Sequence, residues 1–151
     1  MARVVAAHGR HAFIETADGK RVQCHLRGRQ ADLVVGDMVR WQSAGDEGVI
    51  EAVEARRNLL FRQDAWRTKS FAANLDQVLI LIAAEPAFSN NQLSRALIAA
   101  EAEGIKPLIA LNKSDLKEPF ARAWQWLAPY RDMGYHVLPV ALKHSSDTEE
   151  Q

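Results

Sequence analysis

A single cysteine, Cys24, stands in 151 residues, so neither a disulfide framework nor a cysteine-based metal cluster can form within the chain. With its neighbour His25 it reads as strand packing rather than as a pair of metal ligands, and no metal site is expected. Long apolar runs are missing too. The longest aliphatic stretch, Val78 to Ala84, is far too short to span a bilayer. The opening MARVVAAHGRHAF lacks the apolar segment of a secretory signal. A cytoplasmic location without membrane contact is therefore the expectation. Glycine is sparse, with 8 residues, and none sits in a G-x-x-x-x-G-K-[ST] phosphate loop. Net charge is zero, yet unevenly built: residues 1–75 carry 12 Lys/Arg against 9 Asp/Glu, and residues 76–151 carry 7 against 10. A polyanionic partner is expected to meet the first half.

What is present falls into two regimes. The first ~55 residues read as short strands split by turn signals. Asp18-Gly19, Gly36-Asp37 and Gly45-Asp46-Glu47-Gly48 separate apolar runs, and glycine accepts the positive φ of a tight hairpin. Five strands are expected, at about 2–8, 11–16, 20–26, 37–43 and 48–55. Five short antiparallel strands suit a small barrel of OB type over residues 1–55. An SH3-like barrel has similar spacing, and spacing alone does not separate the two. Trp41 is read as core rather than as a base-stacking platform.

Residues 56–74, RRNLLFRQDAWRTKSFAAN, break the strand pattern. Arg56, Arg57, Arg62, Arg67 and Lys69 face one acid, Asp64, with Phe61, Trp66 and Phe71 interleaved. The stretch reads as a basic linker, either a solvated connector or a strap that sets arginines on phosphates and aromatics on bases.

From about residue 75 to 143 the period changes. QVLILIAA is a continuous aliphatic run, expected as a strand covered on both faces. A helix follows, capped by Ser89 or Asn90 and stopped by Gly104. KPLIAL is a second buried strand, EPFARAWQWLAPYRDMG a second helix and YHVLPV a third strand. Short connections with right-handed crossovers make this an α/β unit of β-α-β-α-β order with parallel strands. The tail, 144–151, is polar.

Asn112-Lys113-Ser114-Asp115 follows directly on the second strand of that unit. Ligands of open α/β sheets bind beyond the carboxyl ends of the strands. The N-K-x-D residue types suit guanine. A carboxylate at Asp115 can accept from both N1–H and the exocyclic amine, a donor pair that adenine lacks. Asn112 can donate to the O6/N7 edge or tie neighbouring loops together, and the Lys113 stem can lie over the purine face. No D-x-x-G accompanies the motif. Without a phosphate cradle and a Mg²⁺ site, these residues are not expected to hydrolyse GTP by themselves.

The order barrel, basic linker, then N-K-x-D resembles the ribosome small-subunit-dependent GTPase A (RsgA) family. The matching stretches are VVGDMVRW, GVIEAVEARRNLLFRQ, KSFAANLDQVLILIAAEP, ALIAAEAEGIKPLIALNKSDL and GYHVLPV, which together cover nearly the whole chain. The resemblance implies a circularly permuted P-loop GTPase domain, whose base-reading motifs precede its phosphate loop. The chain then looks like the N-terminal portion of such an enzyme. It also implies GTP or GDP with Mg²⁺ as ligand, zinc held only by a C-terminal segment that nothing here matches, and partnership with the small ribosomal subunit and its rRNA. By the same resemblance Ala141 and Leu142 stand where a Ser-Ala or Ser-Leu pair offers backbone N–H to guanine. Arg27, Arg29, Arg57, Arg62, Arg67 and Lys69 would face RNA. The competing expectation is a stand-alone, non-enzymatic OB-fold RNA-binding module with a vestigial α/β half. Without the neighbouring strand that the resemblance implies for the intact domain, the aliphatic strand at 77–83 would lie at a bare sheet edge, and the chain is expected to self-associate there, as a dimer or aggregate, or to leave residues 76–151 partly mobile.

Overall fold

A computed structural model describes residues 1–28 and 32–143. Arg29 and the polar tail at 144–151 lie outside the described residues. Two compact units divide the chain, Met1–Leu75 and the part that starts at Asp76.

The first unit opens with β1 (Ala2–His8), β2 (His11–Glu15), β3 (Arg21–Leu26), β4 (Met38–Ala44) and β5 (Glu47–Val53). These close a barrel in the order β1-β2-β3-β5-β4. The pairings are antiparallel except β3 with β5, which is parallel. An all-antiparallel barrel is therefore corrected. The chain makes an excursion through β4 between β3 and β5, so these two return in the same direction. That order is the OB-type arrangement and settles what strand spacing left open. Alternate residues point inward, and Val4, Ala12, Ile14, Cys24, Val39 and Ile50 form the barrel core. Trp41 packs against this core, as its sequence position suggests.

Residues 56–74 are more than a linker. They form a hairpin of β6 (Leu59–Gln63) and β7 (Thr68–Ala73) that belongs to the first unit. Two local features hid it. A bulge between Leu60 and Phe61 breaks the period-2 pattern. The turn Asp64-Ala65-Trp66-Arg67 has neither Gly nor Pro, and closes through Asp64 N–H donating to Arg67 O at 2.9 Å.

A polar latch ties the hairpin to the barrel. Val35 bridges Ala72 in parallel, and Ala73 N–H donates to Val35 O. Asn74 Nδ2 donates to Gly36 O at 2.9 Å. Asn58 spans the hairpin ends through Leu75 O and Leu75 N–H, both at 2.7 Å.

The second unit contains β8 (Gln77–Ala83), α1 (Asn90–Ala102), β9 (Lys106–Asn112), α2 (Lys117–Trp126), α3 (Ala128–Asp132) and β10 (Val137–Pro139). The strands are parallel in the order β10-β9-β8. Ser89 caps α1 by accepting from Gln92 N–H, and Gly104 follows it with φ +67°. The single helix expected over 118–134 is two, parted at Leu127. Pro129 has no N–H to continue α2 and instead starts α3. Leu93, Leu97, Ala123, Leu127 and Tyr130 pack against Ile109, Leu111 and Val137 on one sheet face. The other face carries Leu79 and Leu81, 59% and 55% exposed, so β8 is covered on one face within the described residues rather than on both. No helix among the described residues is long and apolar enough to cross a membrane.

Candidate functional site

Three parallel strands end side by side, and their loops meet at Asn112. This residue is the last of β9, and its carbonyl accepts from Ala84 N–H just past β8 at 3.1 Å. Its side-chain Oδ1 accepts from Leu142 N–H beyond β10, also at 3.1 Å. Ser114 N–H donates to Val140 O at 3.0 Å. One asparagine thus touches the connections that follow all three strands, through its carbonyl and its side chain. The Leu142 N–H that resemblance would direct at guanine is bonded here to Asn112.

Lys113 adopts φ +67°, a conformation that a residue with a Cβ seldom takes. The turn it makes is held by Leu116 N–H donating to Lys113 O, and its Nζ donates to Glu85 O at 2.6 Å. The lysine stem is thereby stretched across the loop after β8. Asp115 lies exposed in the same turn, two residues before α2 begins. Ala141 sits in the loop after β10, beside Leu142. Asn112, Lys113 and Leu142 are therefore brought together by hydrogen bonds, with Asp115 and Ala141 in the same two loops. Glu85 and Val140 escaped the sequence reading because they contribute only backbone carbonyls. Their one signal is position, within two residues of a strand end.

The basic residues of the first unit divide into two groups. Arg57 is exposed but structural: its N–H donates to Asn74 Oδ1 at 2.7 Å and its Nη2 to Asn74 O at 3.0 Å. Arg56 lies in the latch, bonded to Asp37, and that carboxylate's hydrogen bond pushes the guanidinium pKa further up. Arg62, Arg67 and Lys69 instead project from the hairpin. Arg62 and Lys69 are direct cross-strand partners, an arrangement that like charges disfavour unless an anion lies between them. Asp64 offsets this in part, 3.6 Å from Arg62. Trp66 at the tip is 95% exposed, and Phe71 is exposed beneath Lys69 at 5.7 Å. Arg27, directly after the barrel's β3, is exposed and pairs loosely with Glu51 at 3.9 Å.

Among the described residues, no group of three or more His, Cys, Asp or Glu side chains is placed to hold a metal ion.

A family model described as RsgA GTPase matches residues 53–150. A protein of Variovorax paradoxus (strain S110) named small ribosomal subunit biogenesis GTPase RsgA is 65% identical over 146 residues, 97% of this chain and 46% of that protein. One of the same name from Burkholderia pseudomallei (strain K96243) is 49% identical, covering 96% of this chain and 47% of its own length. The crystal structure of YjeQ from Thermotoga maritima superimposes with a TM-score of 0.70 at 28% identity, over 94% of this chain and 51% of that one. The chain spans about half the length of the curated relatives it matches.

Proposed function

The chain belongs to the RsgA GTPase family, and from that premise we propose that it supplies the guanine-reading loops and an RNA-facing surface of a cytoplasmic GTPase acting in small ribosomal subunit biogenesis. The observation that carries this reading is the convergence of three strand ends on Asn112. In it, Asp115 accepts from guanine N1–H and the 2-amine. Asn112 holds the loops and offers its side-chain amide hydrogens to the O6/N7 edge, Ala141 offers backbone N–H to O6, and the Lys113 stem lies over the ring. Mg²⁺ and the phosphates, when bound, supply the charge on which phosphoryl transfer turns. The sequence holds no G-x-x-x-x-G-K-[ST] loop to cradle them. These residues alone therefore bind guanine nucleotide weakly and do not hydrolyse it.

Arg62, Arg67 and Lys69 with Trp66 and Phe71 give the hairpin cations for phosphates and rings for bases, and Arg27 extends the basic surface onto the barrel. Arg29 belongs to the same proposal by sequence alone. Arg57 contributes by holding the hairpin. The partner in this reading is rRNA of the small subunit.

A second reading has a specific observation behind it. The barrel and hairpin form one unit with its own core, so residues 1–75 can act as an RNA-binding module without the α/β half. A paired titration of the chain with purified small subunits and with GDP, at low and moderate salt, separates the two. Salt-sensitive subunit binding together with measurable GDP binding lost in Asp115→Ala is expected. Subunit binding with no GDP binding supports the module reading, and no subunit binding at all defeats both.

A further inference from the structure

Strand register places an unusual row across the outside of the barrel. His8 pairs with His11, His11 with His25, His25 with Val49, and Val49 with Gln42. Directly paired residues project from the same face of a sheet. Their chain neighbours Ala12, Cys24 and Ile50 are fully buried, so this row faces outward. Three histidines thus occupy neighbouring register positions on consecutive strands. They end at a concavity of about 480 Å³ lined by His25, Arg27, Gln42, Ser43, Val49 and Glu51. That volume falls within the roughly 300–1,000 Å³ of small-ligand sites.

We propose that this concavity, with the histidine row leading into it, is a binding site for an unpaired RNA base; the proposal rests on the RNA-facing reading above. The chemistry favours a base over a phosphate. Two carboxylates border the place: Glu47, 3.4 Å from His25 Nδ1, and Glu51, 3.9 Å from Arg27. They repel a phosphate and accept from the exocyclic amines of cytosine or guanine. Gln42 offers a donor and an acceptor to a base edge, and Val49 gives an apolar floor. Imidazole faces stack on bases, and every base has a face to offer. A base within a duplex presents neither its face nor its Watson–Crick edge, so the site selects single strands. The hairpin cations meet the backbone without that selection.

The test uses the 151-residue chain, a short fluorescein-labelled single-stranded RNA and the same sequence annealed into a blunt duplex. The chain is expected to prefer the single strand. His11→Ala and Gln42→Ala, both exposed and tolerable to the fold, each weaken single-strand binding, by about fivefold or more for the ring, and leave duplex binding unchanged. His11→Tyr keeps the single-strand affinity, because a ring face remains. Arg62→Ala weakens both RNAs alike. Equal affinity for the two RNAs, or unchanged single-strand binding in both alanine variants, overturns the base site while leaving the RNA-facing reading intact. Binding to neither RNA removes that reading and this inference with it.

Discussion

Arg56 closes over Asp37 with both prongs of its guanidinium, Nε to Oδ1 at 2.7 Å and Nη2 to Oδ2 at 2.9 Å, above a carboxylate that has no solvent exposure. The same carboxylate accepts Val34 N–H at 2.9 Å, and Arg56 also reaches Asp32 O. A basic residue that composition assigns to a polyanion is thus committed to the fold. Arg56→Ala leaves Asp37 buried and uncompensated, and is expected to destabilise the first unit by about 3 kcal/mol. Arg56→Lys recovers only part of this, because an ammonium cannot match the two-pronged geometry. Urea unfolding followed by Trp fluorescence reads both, and a loss below ~1 kcal/mol in Arg56→Ala would show the pair to be a mere surface contact.

The glycines that carry structure are those where another chain segment comes close. A Cβ at Gly36 would lie 2.0 Å from Ala73 O, and φ there is +94°. A Cβ at Gly48 would lie 2.6 Å from Cys24 Sγ and 2.9 Å from Trp41. Gly48→Ala overpacks the barrel core and should lower stability by roughly 1–3 kcal/mol. Gly36→Ala should do so by more, since backbone must move and the latch opens. Cys24→Ala added to Gly48→Ala is expected to restore part of the loss. Additive losses in that double variant would mean the Cys24 contact is not the source.

The larger divisions of the fold were legible because they rest on strong local signals. Asp18-Gly19 marks a hairpin, QVLILIAA marks a sheet strand, and Asn112 to Asp115 follows directly on β9. What was not legible depends on partners distant in sequence. The parallel β3–β5 pairing is a property of the whole chain path. The hairpin at 59–73 carries polar alternation and a bulge, and its stability comes from Asn58 and Asn74 reaching across 17 and 38 residues. Uninterrupted aliphatic composition overstated the burial of β8, because composition cannot say whether a second layer is present. In the candidate site, Asn112, Lys113 and Asp115 are proposed from residue type. The carbonyls of Glu85 and Val140 carry no residue signature.

Burial pushes the Cys24 thiol up, with Glu47 adding to the effect. The folded protein therefore holds this proton at pH values where the unfolded chain releases it. With more protons bound in the native state, stability falls as pH rises. This contribution is complete below the ordinary thiol value of about 8.5 and is lost as pH climbs through the folded value. Urea midpoints measured between about pH 7 and pH 10 should decline more steeply for the wild type than for Cys24→Ala. Cys24 should also resist iodoacetamide until the barrel unfolds. Rapid native alkylation would contradict a sealed core.

Asp115 and Asn112 should fail differently. Asp115→Ala removes the acceptor proposed for guanine and is expected to weaken GDP binding by about tenfold or more. Asn112→Ala removes the brace between β9 and the Leu142 loop. It should weaken GDP binding and also raise amide exchange around Leu142. Xanthine nucleotide gives a sharper comparison. Its C2 carbonyl meets a donor in Asp115→Asn, so that variant should favour it over guanine. If guanine and adenine nucleotides bind the unaltered chain equally, the motif is not reading the base.

The edge strand β8 makes a claim about the chain as it stands. Leu79 and Leu81 are exposed on its open face, and the strand has a neighbour, β9, on one side only among the described residues. An aliphatic edge with unpaired backbone groups invites a second copy. Sedimentation velocity over a concentration series should show reversible association. Leu81→Lys places a charge on the open face and should shift the chain toward monomer, since a buried lysine at such a contact would lack a partner. Leu79→Lys, two residues away on the same face, should act likewise. A substitution on the helix-covered face, such as Ile80→Val, should leave association unchanged. A chain that sediments as a monomer across the series, with slow amide exchange along residues 77–83, would show that this edge is protected without a second copy.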